Sequence, residues 1–195
     1  MRKTKQFKQQ YEQKLLRAVK LLRRGRAQQA VRLLVRLRRA RPKDPLVSYN
    51  LGLAWEQLKR WREALRCYNS ALRLDRGFVD ALICKGIIYG NQGRFKDELA
   101  CYEQALSIDS SHPMAVYNKA VVLDDELDRP HDALRCYQRA LRCRLSTAQE
   151  RDVWLRKCDL LLRLRRFHQA DKCLHNLIHR GKKIRYSSDT ISFPR

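Results

Sequence analysis

The stretch REALRCYNSALRLD at residues 62–75 returns as KDELACYEQALSID at 96–109 and, more loosely, as HDALRCYQRALRCR at 131–144. Aligning Ala64 with Glu98, Tyr68 with Tyr102 and Ala71 with Ala105 gives a period of 34 residues, and the upstream half repeats as well, from Gly52 to Gly86 to Ala120. A fixed period in this range is the mark of stacked supersecondary units, each contacting its neighbours, and not of a conventional globule. Within a period the apolar residues fall at helical spacing, as in Leu51, Trp55, Leu58 and again Leu65, Tyr68, Leu72. Each unit is therefore expected to be two amphipathic helices. The turns between them are predicted at LKRW, NQGRF and DRPHD, where Gly93 or Pro130 breaks the pattern. Neither helix can bury its stripe alone, so the stack completes the core. With 44% hydrophobic residues and only 7 Gly and 5 Pro, the chain is neither disordered nor a turn-rich β fold.

These slots resemble those of the tetratricopeptide repeat family. The best unit, 45–78, carries Leu51, Gly52, Trp55, Ala64, Tyr68 and Ala71 in the family's Leu-Gly, aromatic, small, aromatic and small positions. Unit 79–112 supplies Gly86, Tyr89, Tyr102 and Ala105, but has Lys85 and Glu98 where Leu and Ala are usual. Unit 113–146 offers Ala120, Leu123, Ala133, Tyr137 and Ala140, with one residue inserted before Pro130. Units 11–44 and 147–180 match more weakly. The resemblance implies an all-α, right-handed α-solenoid of about five stacked helix-turn-helix repeats. Residues 1–10 are expected as a basic arm or a helix extension, 11–180 as the solenoid, and 181–195 as a basic tail. The tail's Ile184, Tyr186, Ile191 and Phe193 are expected to fold back over the last helix, or else that end meets another chain.

The resemblance also implies that the first helix of each pair lines a concave groove. The expected groove residues are Tyr49, Asn50, Leu53, Ile83, Ile87, Met114, Tyr117, Asn118 and Val121, an apolar trough with two amides. Such a trough suits an extended peptide or an amphipathic helix, with Asn50 and Asn118 bonding its backbone and Tyr49, Tyr117 and Met114 packing its side chains. The family subtype that grips a C-terminal carboxylate uses Lys and Arg at slots that here hold Leu15, Val19, Asn50, Asp80 and Cys84, so that clamp is not expected.

The formal charge of +23 is unevenly placed. Residues 1–42 carry a net +14, 43–140 are neutral and 141–195 carry +9. Arginine predominates, as suits bidentate contacts to phosphate or carboxylate. Arg32, Arg36, Arg38, Arg39, Arg41, Lys182, Lys183 and Arg185 form the expected patch for an anionic partner: RNA, DNA, an acidic protein or an anionic membrane. No base-reading code is present, so nucleic-acid contact is expected to be to backbone and shape.

Two expectations of function follow. The first is a non-catalytic scaffold or adaptor that binds protein through the groove. The second is an RNA- or ribosome-associated structural protein held by its Arg-rich ends. No catalytic set, nucleotide loop or metal motif is found: GIIYGNQG (86–93) lacks phosphate-loop order, DDELDRPHD (124–132) lacks a calcium loop's ligand order, and His168, Cys173, His175 and His179 lack a completing ligand. No cofactor is expected, and no enzyme. Cys67, Cys101, Cys136 and Cys173 recur at one slot and are read as core filler in a reducing compartment. No apolar run reaches the roughly 18 residues of a spanning helix, membrane association is disfavoured, and a cytoplasmic location is expected, with an organelle as the rival.

Overall fold

The computed structural model describes residues 2–185, with side chains described mainly from Gln9 to Ile178. Ten α-helices and no strand occur among them. They are α1 (Arg2–Arg23), α2 (Ala27–Ala40), α3 (Pro45–Gln57), α4 (Trp61–Leu74), α5 (Val79–Gly90), α6 (Phe95–Ile108), α7 (Pro113–Asp125), α8 (Pro130–Ala140), α9 (Thr147–Arg163) and α10 (Phe167–Arg185). The first helices of the last four pairs begin at 45, 79, 113 and 147, a step of 34 each time. The chain is an all-α solenoid built from antiparallel helix pairs. It divides into two compact units, Met1–Ile108 with α1–α6 and Asp109–Arg195 with α7–α10. α1 starts at Arg2, and α10 continues to Arg185, through the first five residues of the expected tail. Tyr186, Ile191 and Phe193 lie outside the described residues, as does the side chain of Ile184.

Helix starts follow local chemistry. Asp44 caps α3, accepting from the backbone N–H of Leu46 at 2.9 Å and of Val47 at 3.3 Å, and Pro45 follows where a missing N–H costs nothing. Pro113 and Pro130 open α7 and α8 in the same way, and Ser146 with Gln149 forms a capping box on α9. Every turn inside a pair holds one residue in the left-handed region: Gly25 (φ 69°), Lys59 (57°), Gly93 (71°), Asp128 (48°) and Arg165 (54°). Arginine follows each of them, and its N–H closes the preceding helix onto a carbonyl one and a half turns back, for instance Arg26 to Leu21, Arg60 to Trp55 and Arg94 to Tyr89, all at 2.9 Å.

The close approach inside a pair is set by small residues. A Cβ on Gly52 would sit 2.4 Å from Cε1 of Tyr68, and one on Gly86 would sit 2.7 Å from Cε1 of Tyr102. The glycines thus make room for the rings that fill the pair, and Tyr68, Tyr102 and Tyr137 are among the largest fully buried side chains. Burying an aromatic or Leu side chain of this kind contributes about 1.5–3 kcal/mol. In the first unit one buried cluster runs through Tyr11, Ala18, Leu34, Leu51 and Cys67, and the next through Ala64, Tyr68, Ala71, Ala81 and Ile88. Each cluster draws on consecutive pairs, which is why the unit must be repeated.

Candidate interaction site

The first helices of the first unit, α1, α3 and α5, carry most of the expected groove. Tyr49 is half-buried, its ring 4.9 Å from Phe78 and 6.0 Å from Tyr68, with its hydroxyl 3.9 Å from Sγ of Cys84. Burial pushes both groups up, the Cys84 thiol to about 11, so neither ionises near neutrality. Leu53 is half-buried and helps line a cleft of about 440 Å³ with Val19, Leu22, Tyr49, Arg23 and Glu56. Gln57 holds the far wall by donating to the Leu22 carbonyl at 3.2 Å. Asn50 also borders the cleft, but it is only 5% exposed and its amide donates to the Leu46 carbonyl of its own helix at 2.7 Å. Ile83 is buried and Ile87 half-buried.

In the second unit, Met114, Tyr117, Asn118 and Val121 are all half-buried on α7. Two of them also tie α7 to α9. The Tyr117 hydroxyl donates to Asp152, and the sulfur of Met114 accepts from Nε2 of Gln149 at 2.9 Å. Both pairs are 35 residues apart, as are Tyr49 and Cys84, so a side chain meets the one that lies a period and one residue further on. Arg156 extends the second-unit contact, donating to Asp125 at 3.0 Å and lying 3.5 Å from Asp152.

A tie between the two helices of α3–α4, and another in α7–α8, escaped the sequence reading. The Tyr68 hydroxyl donates to Glu56 at 2.5 Å, and the Tyr137 hydroxyl to Asp124 at 3.3 Å. Glu56 and Asp124 stand two periods apart, and the position midway is Gly90. There the carboxylate comes from the other helix: Glu98 receives Tyr102 at 2.9 Å and lies where a Cβ on Gly90 would meet it at 2.5 Å. Glu98 departs from the family's Ala because Gly90 vacates the space its carboxylate fills. Asp124 is further held by Arg163, and Glu56, desolvated by burial, keeps its proton to higher pH than an ordinary carboxylate. One period after Asp124 stands Cys158, and it forms a disulfide with Cys173 of α10. The core-filler reading of Cys173 is corrected by this pairing, because its neighbour comes from its own pair and not from the cysteines one period away. Cys67, Cys101 and Cys136 are unpaired thiols, raised by burial.

The basic patch is spread over different surroundings. Arg32, Arg36 and Arg39 are exposed on α2 and have no ion-pair partner among the described residues. Arg38 donates to Sγ of Cys67 at 4.0 Å, and Arg41 covers the Tyr11 ring at 4.2 Å. The side chains of Lys182, Lys183 and Arg185 lie outside the described residues. No described helix is long and apolar enough to cross a membrane.

A tetratricopeptide repeat profile matches residues 15–77 and 56–113, together more than half of the chain. The chain belongs to the tetratricopeptide repeat family. It is accordingly a repeat scaffold of the kind that serves protein–protein interaction. Solved structures with this fold include MamA 41-end from Desulfovibrio magneticus RS-1, at 19% identity and a TM-score of 0.71 over 92% of this chain and 97% of that one. PilF of Pseudomonas aeruginosa aligns at 20% identity and a TM-score of 0.76 over 88% of this chain and 76% of its own. A further MamA crystal structure aligns at 14% identity and a TM-score of 0.75 over 93% and 98%. At these identities the likeness concerns the fold. No curated protein sequence matches the chain significantly.

Proposed function

We propose that this chain is a non-catalytic adaptor that seats a segment of another protein, extended or helical, on the faces of its first helices. The observation that carries the reading is the cleft between α1 and α3, whose apolar floor of Val19, Leu22, Tyr49 and Leu53 is edged by Arg23 and Glu56. Apolar pockets with a few placed polar groups are how helical scaffolds take anchor side chains. Since the amides of Asn50 and Gln57 already serve backbone carbonyls and Glu56 accepts from Tyr68, main-chain recognition in the first unit falls to Arg23. On the second unit the matching surface is Met114, Tyr117, Asn118 and Val121, where Asn118 keeps the amide role.

The test is photo-crosslinking in native extract, with benzoylphenylalanine in place of Leu53 and, separately, of outward-facing Arg66. A protein adduct specific to position 53 and lost on Val19→Glu supports the adaptor. Adducts equal at both positions, or nuclease-sensitive adducts alone, overturn it.

A further inference from the structure

Leu33 stands one period before Cys67 and two before Cys101. Cys67 and Cys101 are buried, 4% and 6% exposed, and Cys67 is covered by the preceding pair, whose Arg38 reaches its sulfur. Leu33 belongs to the first pair among the described residues and has no such cover. It lines a pocket of about 150 Å³ between α1 and α2, with Gln10, Tyr11, Lys14, Arg36 and Leu37. A cavity of that size admits one ring or one branched aliphatic side chain.

We propose that this pocket is a second protein-docking site, independent of the first-helix cleft, and that it takes an acidic amphipathic helix. The helix occupies the place that a preceding second helix holds in the inner pairs, with one apolar anchor on Leu33 and Leu37. Its carboxylates meet Lys14 on one side and Arg32, Arg36 and Arg39 on the other. Those cations are exposed and have no ion-pair partner among the described residues, and they stand within residues 1–42, which carry a net +14. The three arginines follow one another at i, i+4 and i+7 along about 10 Å of α2, the spacing at which a facing helix presents its own acids.

RNA fits this surface less well. Single strands are held by stacking bases on open aromatic faces. Among the described residues the one aromatic ring here, Tyr11, is covered by the Arg41 guanidinium at 4.2 Å, and its hydroxyl donates to Asp44 at 2.8 Å. What remains for a ligand is an aliphatic floor and a ring of cations. That is the complement of a Leu-centred acidic helix.

Fluorescence polarisation on the full chain decides the matter, with three labelled probes: a synthetic Leu/Glu amphipathic helix of about 16 residues, the same helix with Lys for Glu, and an oligouridylate; binding to phosphatidylserine vesicles is read by sedimentation. Saturable binding of the Glu helix alone is expected. The double reversal Lys14→Glu with Arg36→Glu is expected to weaken it at least about tenfold. Leu33→Trp, which fills the pocket without changing charge, is expected to do the same, with unchanged circular dichroism confirming the fold. Reversing two exposed arginines of the second unit, Arg142→Glu with Arg144→Glu, is expected to leave it within about twofold, which separates local contact from net charge. Equal binding by wild type and both pocket variants overturns the proposal. So does oligouridylate or vesicle binding that exceeds that of the Glu helix and is lost in the Lys14/Arg36 variant. Loss of cross-linking at Leu53 bears on the first-helix cleft and leaves this result untouched.

Discussion

The pair α3–α4 and the pair α9–α10 solve one problem in two ways. In α3–α4 the second helix carries Cys67–Tyr68; the tyrosine is fully buried, packs with Ala81 and Ile88 of the next pair, and ties back to Glu56 of its own first helix. In α9–α10 the same two slots hold Cys173–Leu174. Leu174 is 40% exposed, Ile178 56% and Phe167 64%, and no later described helix covers them. Without the buried ring, and with no later helix among the described residues, the pair is joined covalently at the position where α3–α4 and α7–α8 use a carboxylate, through Cys158 and Cys173. An inner pair is stabilised by its place in the row, whereas an outer one depends on what its two helices do for each other.

Breaking that covalent tie should have the largest effect. Closing a loop of 15 residues is worth about 3 kcal/mol through the entropy of the unfolded chain. Replacing Cys158 by Ala, or reducing the chain, should therefore lower amide-exchange protection along α10 about a hundredfold and leave α3–α4 nearly unchanged. Equal loss in both pairs would show that the disulfide acts on the whole row, and no loss would show that packing on α9 suffices.

The inner pair should be most sensitive at its point of closest approach. Gly52→Ala places a methyl group 2.4 Å from the Tyr68 ring, which is enclosed on all sides, and should cost about 2 kcal/mol as read by urea unfolding. Gly90→Ala meets the Glu98 carboxylate at 2.5 Å instead. A carboxylate end can swing aside, so that cost should be about half as large and should fall mainly on the Tyr102 contact.

Much of this architecture was legible beforehand because helical periodicity and a 34-residue step are properties of the sequence itself. The first helices of the last four pairs begin at 45, 79, 113 and 147, the same 34-residue step that the sequence repeats. The groove was legible only as a register. Asn50 shows why: it stands on α3 beside the cleft, but a side chain can satisfy itself locally, and the bond to Leu46 is invisible in spacing. The Glu56, Gly90, Asp124, Cys158 series was present in the frame too. Its meaning needed the partners on the second helix, since Glu98 and Gly90 compensate each other across eight residues and Cys158 and Cys173 across 15. An alignment of the repeats column by column, searching for paired departures, is the signal that could have found them.

The turns offer a smaller effect that should be equal in the two pairs. Lys59 in α3–α4 and Arg165 in α9–α10 both hold positive φ, at 57° and 54°, where Gly25 and Gly93 stand in other pairs. A side chain in that region costs about 1 kcal/mol relative to glycine. Lys59→Gly and Arg165→Gly should each raise stability by up to that amount, offset in part by the freer unfolded chain. A gain at Lys59 without one at Arg165 would mean that the last turn does not hold its shape in solution.

The smallest effect tests whether the carboxylate in the inner tie is there for its charge. Burial raises the pKa of Glu56 above the ordinary carboxylate value, while the Tyr68 hydroxyl pulls it partly back. A carboxyl group whose folded pKa is raised binds its proton more tightly in the folded state. Stability is then highest when the group is protonated, and it declines as pH rises from the unfolded pKa through the folded one. Ionised Glu56 is thus a modest liability at neutral pH, and the hydrogen bond from Tyr68 needs only an acceptor oxygen, which an amide also supplies. Glu56→Gln should keep that bond, raise the unfolding midpoint slightly at pH 7, and flatten the decline above the ordinary carboxylate range in urea titrations run at successive pH values. If the variant is instead less stable at pH 7 than wild type, the ionised carboxylate itself holds Tyr68, and the tie in α3–α4 is electrostatic in a way that the uncharged disulfide of α9–α10 does not replace.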